Sequence, residues 1–217
     1  LIIFDLDDTL IDTSGGVSPY KFKICVEALL EAGLPAPSFQ EAYQRLLEIN
    51  STALRSQDAL KRLIEEYRAP SSLYETASPL FTSPLPPDFR VPTTPYAKQI
   101  LEWLVPRAHL ALVTGGHPPF QLEKLKKAGL DGPFFSKIAV PENSVKGPHY
   151  EAFVKEFSER PQDVVVCGDR VAMDLEPARQ LGLKTIHMRW GRGKLGTSPS
   201  WIDHSIGSLD ELRKIIL

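Results

Sequence analysis

From Thr94 onward the chain alternates short apolar runs with segments patterned at helical spacing, and few folds accommodate that alternation. Residues 1–4, 109–113, 135–140, 164–167 and 184–188 read as buried strands. Between them, Thr94 and Pro95 supply a cap and first-turn proline for a helix carrying Ile100, Leu101 and Leu104. Residues 120–128 form a second helix stopped by Gly129, residues 148–157 a third, and residues 175–181 a fourth closed by Gly182. Ser208 and Glu211 make a capping-box pattern for a last helix with Leu212, Ile215 and Ile216 on its apolar side. Strands alternating with helices predict an α/β fold, a Rossmann-like parallel sheet with helices on both faces. Chemistry in such sheets collects at the carboxyl ends of the strands.

Residues 16–91 break the alternation and offer only helical signals. Ser18 and Pro19 open a helix with Phe22, Val26, Leu29 and Leu30 on one face and Gly33 after it. Ser38 and Glu41 form a second capping box, and Ser56 opens a helix carrying Leu60, Leu63, Ile64 and Tyr67. A shorter helix follows Ser72. Prolines at 84, 86, 87, 92 and 95 then read as a stiff linker, and Gly15-Gly16 marks the opposite junction. The expected organisation is a core of residues 1–15 and 92–217 with an all-α insert at 16–91.

Composition narrows the function classes. A net charge of -2 gives no field suited to nucleic acid or an anionic membrane, although a local positive pocket stays open. No apolar stretch is long enough to span a bilayer. Cys25 and Cys167 lie in apolar patterned segments and read as free buried thiols, which fits a reducing cytoplasm.

The first strand runs into Asp5-Leu6-Asp7-Asp8-Thr9-Leu10. Crowded carboxylates repel one another, and a divalent cation with a taste for hard oxygen ligands removes the objection. Asp5 and Asp7 can face one side, so that one attacks while the other handles a proton. The alternative is an acidic turn with Asp7 or Asp8 as a helix cap. The next strand ends in Thr114-Gly115-Gly116, a hydroxyl followed by exposed backbone N–H groups, which suits a phosphate oxygen or an ordinary turn. Lys146 stands at a helix start, where its charge opposes the dipole; it marks a nearby anion or is simply solvated. The strand 164–167 ends in Gly168-Asp169-Arg170, with Asp174 following at a helix start, as a metal ligand or an N-cap.

Taken in order, FDLDDTL, LVTGG, KGPHYEAF and VVVCGDRVAMD resemble the four motifs of the haloacid dehalogenase-like (HAD) superfamily. The resemblance covers residues 1–12 and 93–217, and the insert is similar to the family's C1-type helical cap. It implies a phosphomonoester hydrolase that acts through an aspartyl-phosphate on Asp5, with Asp7 as general acid and base. Mg2+ would be held by Asp5, the backbone carbonyl of Asp7 and Asp169, with Asp174 in the shell around it. Thr114, Lys146 and backbone N–H groups near Leu6 and Gly115 would hold the phosphoryl oxygens. Family dehalogenases and phosphonate-cleaving members lack the second aspartate, so Asp7 favours phosphate esters. The implied partner is a small phosphorylated metabolite, with sugar phosphates, short phosphorylated acids and nucleoside monophosphates all compatible.

Two rivals remain at this point: a phosphomutase similar to β-phosphoglucomutase, and a non-catalytic binding protein on the same core. His117 reads as a turn residue, His187, Arg189 and Trp190 as packing at a strand end, and Arg170 as a partner of a nearby carboxylate. Lys21, Lys23, Arg45, Arg55 and Arg62 are expected on solvated helix faces.

Overall fold

The computed structural model describes residues 1–195 and 197–216. Gly196 and Leu217, which fall within the expected core span 92–217, lie outside the described residues. In chain order the main elements are β1 (Ile2–Phe4), α1 (Ser18–Glu31), α2 (Phe39–Thr52), α3 (Ser56–Glu66) and α4 (Leu73–Phe81). They continue with α5 (Ala97–Leu104), β2 (Leu110–Val113), α6 (Pro118–Lys127), β3 (Lys137–Ala139) and α7 (Gly147–Glu156). The remainder are β4 (Val165–Gly168), α8 (Glu176–Gln180), β5 (Lys184–Met188), β6 (His204–Ile206) and α9 (Leu212–Ile215). The chain divides into two compact units, Leu1–Ser14 with Pro86–Leu217, and Gly15–Leu85.

The first unit is built on a six-stranded sheet in the order β3-β2-β1-β4-β5-β6. Every adjacent pair is parallel. Ile3, Ala111, Val113 and Val166 pack on one face with Tyr150 and Phe153 of α7 and Ala178 of α8. Strand pleating turns Ile2, Phe4, Leu110 and Leu112 the other way, where they are equally buried. Both faces are therefore covered, as the continuous apolar runs predict. Crossovers lead from β1 outward to β3 on one side and from β4 to β6 on the other. The carboxyl ends of β1 and its neighbours thus border a topological switch point.

Three features depart from the sequence reading. β6 adds a strand that no periodicity announces, because two of its three residues, His204 and Ser205, are exposed. β3 shrinks to three residues at the sheet edge, with Lys137 and Ile138 exposed. Thr94 does not cap α5. The helix begins two residues later than expected, at Ala97 with Tyr96 at its N-cap, and the Thr94 hydroxyl instead donates to the buried carbonyl of Thr9 at 2.7 Å.

The proline-rich stretch after residue 85, expected as a stiff linker, is also anchored to the first unit. Pro86 and Pro92 lack an N–H but keep their carbonyls, which accept from Lys127 Nζ at 2.6 Å and from the Asp12 N–H at 2.8 Å. The Thr94 N–H donates to the Leu10 carbonyl at 3.0 Å, so this strap is fastened to the loop after β1.

The second unit holds α1 to α4 around Phe22, Val26, Leu29, Leu46, Leu60 and Leu63. Gly33 leaves α1 at φ +97, a conformation glycine adopts without strain. The Ser38 hydroxyl accepts from the Glu41 N–H at the start of α2, at 3.2 Å. Lys21 overturns its expected solvation. It is fully buried, and its ammonium lies 2.5 Å from the Ser83 carbonyl and 2.9 Å from the Ser83 hydroxyl, just past α4. Carbonyls beyond a helix C-terminus carry partial negative charge, which an ammonium complements. Lys23, Arg45, Arg55 and Arg62 are exposed as expected. Both cysteines are free and buried, and among the described residues no helix is long and apolar enough to cross a membrane.

Candidate active site

The loop after β1 turns tightly around the Leu6 carbonyl, which accepts from the Leu10 and Ile11 N–H groups at 2.9 and 3.0 Å. Asp8 sits at φ +56, and its two oxygens accept from the Ser14 N–H at 2.7 Å and the Ser14 hydroxyl at 2.5 Å. Its carboxylate closes the turn. A Cβ at Gly191 would lie 2.3 Å from Asp8 Cγ, so only glycine lets that second loop approach.

Asp5 extends β1, its N–H donating to the Cys167 carbonyl at 2.9 Å. Lys146, at the head of α7, buries its side chain and places Nζ 2.5 Å from Asp5 Oδ1 and 2.7 Å from Asp174 Oδ1. The other Asp174 oxygen accepts the Arg170 N–H at 2.9 Å, four residues upstream, and α8 takes Leu175 rather than Asp174 as its N-cap, so the expected cap role does not hold. A Cβ at Gly168 would come within 2.6 Å of Asp174, which explains glycine there. Asp169 completes the group: ligating oxygens of Asp5, Asp169 and Asp174 all lie within 4.8 Å of one another. Asp169 Oδ2 is buried without a hydrogen-bond partner. The Asp169 carbonyl lies 3.1 Å from His187 Nε2, whose other ring nitrogen contacts Ser198 Oγ at 2.7 Å.

Burial pushes Asp5 up to about 7 despite the opposing pull of Lys146, with Asp174 and Asp7 adding to the rise. Burial and the adjacent Asp174 carry Asp169 well above the ordinary carboxylate range. Burial works against the Lys146 charge, yet Asp174 and Asp5 outweigh it and hold the ammonium well above its usual value. With all three carboxylates ionised, one ammonium would leave two negative charges in a buried space, so protons are retained unless a cation takes their place, and Asp169 has a bare buried oxygen. That donor set fits a hard divalent cation.

The Asp7 carboxylate stands outside this cluster. It is held by Lys124 Nζ at 2.5 Å on Oδ1, by the Thr13 hydroxyl on the same oxygen, and by Gln121 Nε2 at 2.9 Å on Oδ2. Burial alone would raise its pKa, but Lys124 and these hydrogen bonds hold it down at about 2. Thr114 is buried at the end of β2, with its hydroxyl 2.8 Å from the same Gln121 nitrogen, which also donates to the Gly115 carbonyl at 2.6 Å. A Cβ on Gly115 would meet Ser144 Oγ at 2.6 Å.

The structure thus brings Asp5, Lys146, Asp169 and Asp174 together directly, and joins Asp7 to Thr114 and Gly115 through Gln121. Thr13, Gln121 and Lys124 escaped the sequence reading. Gln121 and Lys124 did leave a trace, since they share the buried face of α6 with Phe120 and Leu125. Polar residues inside an apolar stripe need partners.

A family model described as haloacid dehalogenase-like hydrolase matches residues 1–182. The chain belongs to that family. Among HAD-like proteins it is 29% identical to a glyceraldehyde 3-phosphate phosphatase of Pyrococcus furiosus, over 88% of this chain and 81% of the relative. It is also 29% identical to one of Methanocaldococcus jannaschii, over 99% and 96%. In fold it is similar to the HAD-hydrolase YfnB of Bacillus subtilis bound to magnesium, with a TM-score of 0.73, 17% identity and coverage of 99% and 97%. This HAD-like chain is a hydrolase of the phosphatase type.

Proposed function

We propose that the protein is a Mg2+-dependent phosphomonoester hydrolase that works through an aspartyl-phosphate on Asp5 and acts on a short phosphorylated metabolite. The names of its relatives put glyceraldehyde 3-phosphate first. The observation that carries the reading is the three-carboxylate group with one bridging lysine and one bare buried oxygen.

An oxygen of Asp5 attacks phosphorus and the bond to the ester oxygen breaks. Asp7 delivers the proton to that oxygen only after taking one up from a monoanionic ester or from water, an uptake that the negative charge of bound substrate favours against the pull of Lys124. Asp7, now ionised, removes a proton from water, which attacks the aspartyl-phosphate, releases phosphate and restores Asp5. Thr114, Lys146 and the backbone N–H groups of Leu6 and Gly115 hold the transferring oxygens. Asp5, Asp169 and the Asp7 carbonyl, with Asp174 beside them, would hold Mg2+, which would supply charge screening between a carboxylate nucleophile and an anionic ester. The helical insert takes the part of a C1-type cap that selects substrate. Free buried thiols fit a reducing cytoplasm.

The test is phosphate release across a panel of phosphorylated metabolites with Mg2+, using Asp5→Asn as the blank. Hydrolysis confined to the wild type supports the reading. Turnover unchanged in Asp5→Asn overturns it.

A further inference from the structure

We propose that His187 is a positioning residue that holds the main chain of Asp169 and so sets its carboxylate for the cation. The inference rests on the metal-dependent reading above and gives β5 a part in it.

β4 ends at Gly168, and β5 runs parallel to it with His187 opposite Gly168. Asp169 is therefore the first residue off the ladder, and its carbonyl meets a side chain instead of a strand. His187 Nε2 lies 3.1 Å from that carbonyl oxygen, and the residue is only 2% exposed. A carbonyl only accepts, so Nε2 carries the hydrogen. In the neutral ring Nδ1 then accepts, and its neighbour at 2.7 Å is the Ser198 hydroxyl. Ser198 Oγ stands 3.0 Å from Oγ of Ser205, an exposed residue of β6. A hydrogen-bond chain thus runs from the surface to the buried carbonyl, and it fixes the ring that ends it. Gly193 brings a second wall: a Cβ there would stand 2.9 Å from the Asp169 carbonyl oxygen and 3.0 Å from Asp169 Cβ.

The carboxylate end has no comparable hold. Asp169 Oδ2 is buried without a hydrogen-bond partner, and ligating oxygens of Asp5 and Asp174 lie within 4.8 Å of the one Asp169 offers. Mutual repulsion tends to turn that side chain away, and the backbone beneath it is what resists. Packing, the role expected for His187 from sequence, would be met by any apolar side chain of the same size. The imidazole adds a donor aimed at the residue that carries the bare oxygen. Groups that orient a metal ligand from behind are worth about 10- to 100-fold in metal affinity.

The experiment titrates Mg2+ alone into the wild type, His187→Phe, His187→Gln and Ser198→Ala by calorimetry, with a metal-free melting curve for each. His187→Phe keeps a ring and removes the donor, and its Mg2+ affinity is expected to fall about tenfold. His187→Gln returns an N–H near the Nε2 position and is expected to recover most of that loss. A role in packing alone would lower the metal-free Tm and leave Mg2+ affinity unchanged. His187→Phe binding Mg2+ as tightly as wild type, or His187→Gln binding it no better than His187→Phe, overturns the proposal. Should His187→Phe fail to fold, Ser198→Ala makes the comparison, because it frees the ring to turn. A loss of up to about tenfold is expected there, and unchanged affinity overturns the proposal. A wild-type protein that binds no Mg2+ would overturn the metal-dependent reading together with this one, whereas wild-type binding indifferent to residue 187 overturns this one alone.

Discussion

The Lys146 ammonium lies 2.7 Å from Asp174 Oδ1 while also touching Asp5, so one buried cation spans the ends of two neighbouring strands. Lys146→Met would leave the carboxylates of Asp5, Asp169 and Asp174 crowded without an internal counter-charge. Breaking a buried pair by removing one partner costs about 3–5 kcal/mol. Urea unfolding without metal should show a loss of that order, and phosphate release should fall to the Asp5→Asn background. A Lys146→Met protein as stable as wild type would contradict this account.

The titration of the acid cluster gives a pH signature. Asp5 is raised to about 7 and Asp169 well above its ordinary value, both chiefly by burial. Above about pH 4 the folded metal-free protein holds protons that the unfolded chain has released. Stability therefore falls as pH rises from about 4 through 7. A cation that binds the deprotonated cluster offsets this loss most where the loss is greatest. The rise in Tm produced by Mg2+ should be larger at pH 8 than at pH 5, and an equal rise at both would argue against binding at these carboxylates.

Gly168→Ala is expected to disable the site while sparing the sheet. Its Cβ would stand 2.6 Å from Asp174 Oδ2, the oxygen that accepts the Arg170 N–H, and would push that carboxylate off Lys146. Far-UV circular dichroism should stay native while Mg2+-dependent phosphate release is lost; full activity would show that Asp174 can move without consequence.

Lys21→Met tests the helical unit. It removes the donor that satisfies the partly buried Ser83 carbonyl just past α4, and leaving a buried acceptor unpaired costs about 1–3 kcal/mol, which sets the upper bound here. Chemical denaturation should report a loss in that range. A neutral or stabilising effect would mean that desolvating the ammonium outweighs its contacts.

How far the sequence could be read follows from where partners lie along the chain. Asp5, Asp169, Lys146 and Thr114 were visible because each directly follows a buried strand or opens a helix, and local pattern marks those places. Lys124 lies 117 positions from Asp7, and nothing local distinguishes it from Lys126 and Lys127 except its phase on α6. Lys21 was misread for the same reason in reverse: it falls beside Phe22, Cys25 and Val26, and its acceptors lie about sixty residues away. Thr94 has the chemistry of a cap, but a distant carbonyl on Thr9 claims its hydroxyl. β6 is too short for any period to appear. The capping box of Ser208 and Glu211, the Ser38 cap and the glycine stops were legible because their partners sit within four residues.

The strap that joins Asp12 to Pro92 and Thr94 to Thr9 makes the departure and return of the chain neighbours before the inserted helices are considered. It behaves as a socket. Whatever is spliced between its two lips can lengthen, shorten or be traded during descent without re-registering β1 against β2 and β4, since loop closure grows costlier only slowly with length. A core wired in this way keeps its strand register independent of the length of the inserted helices.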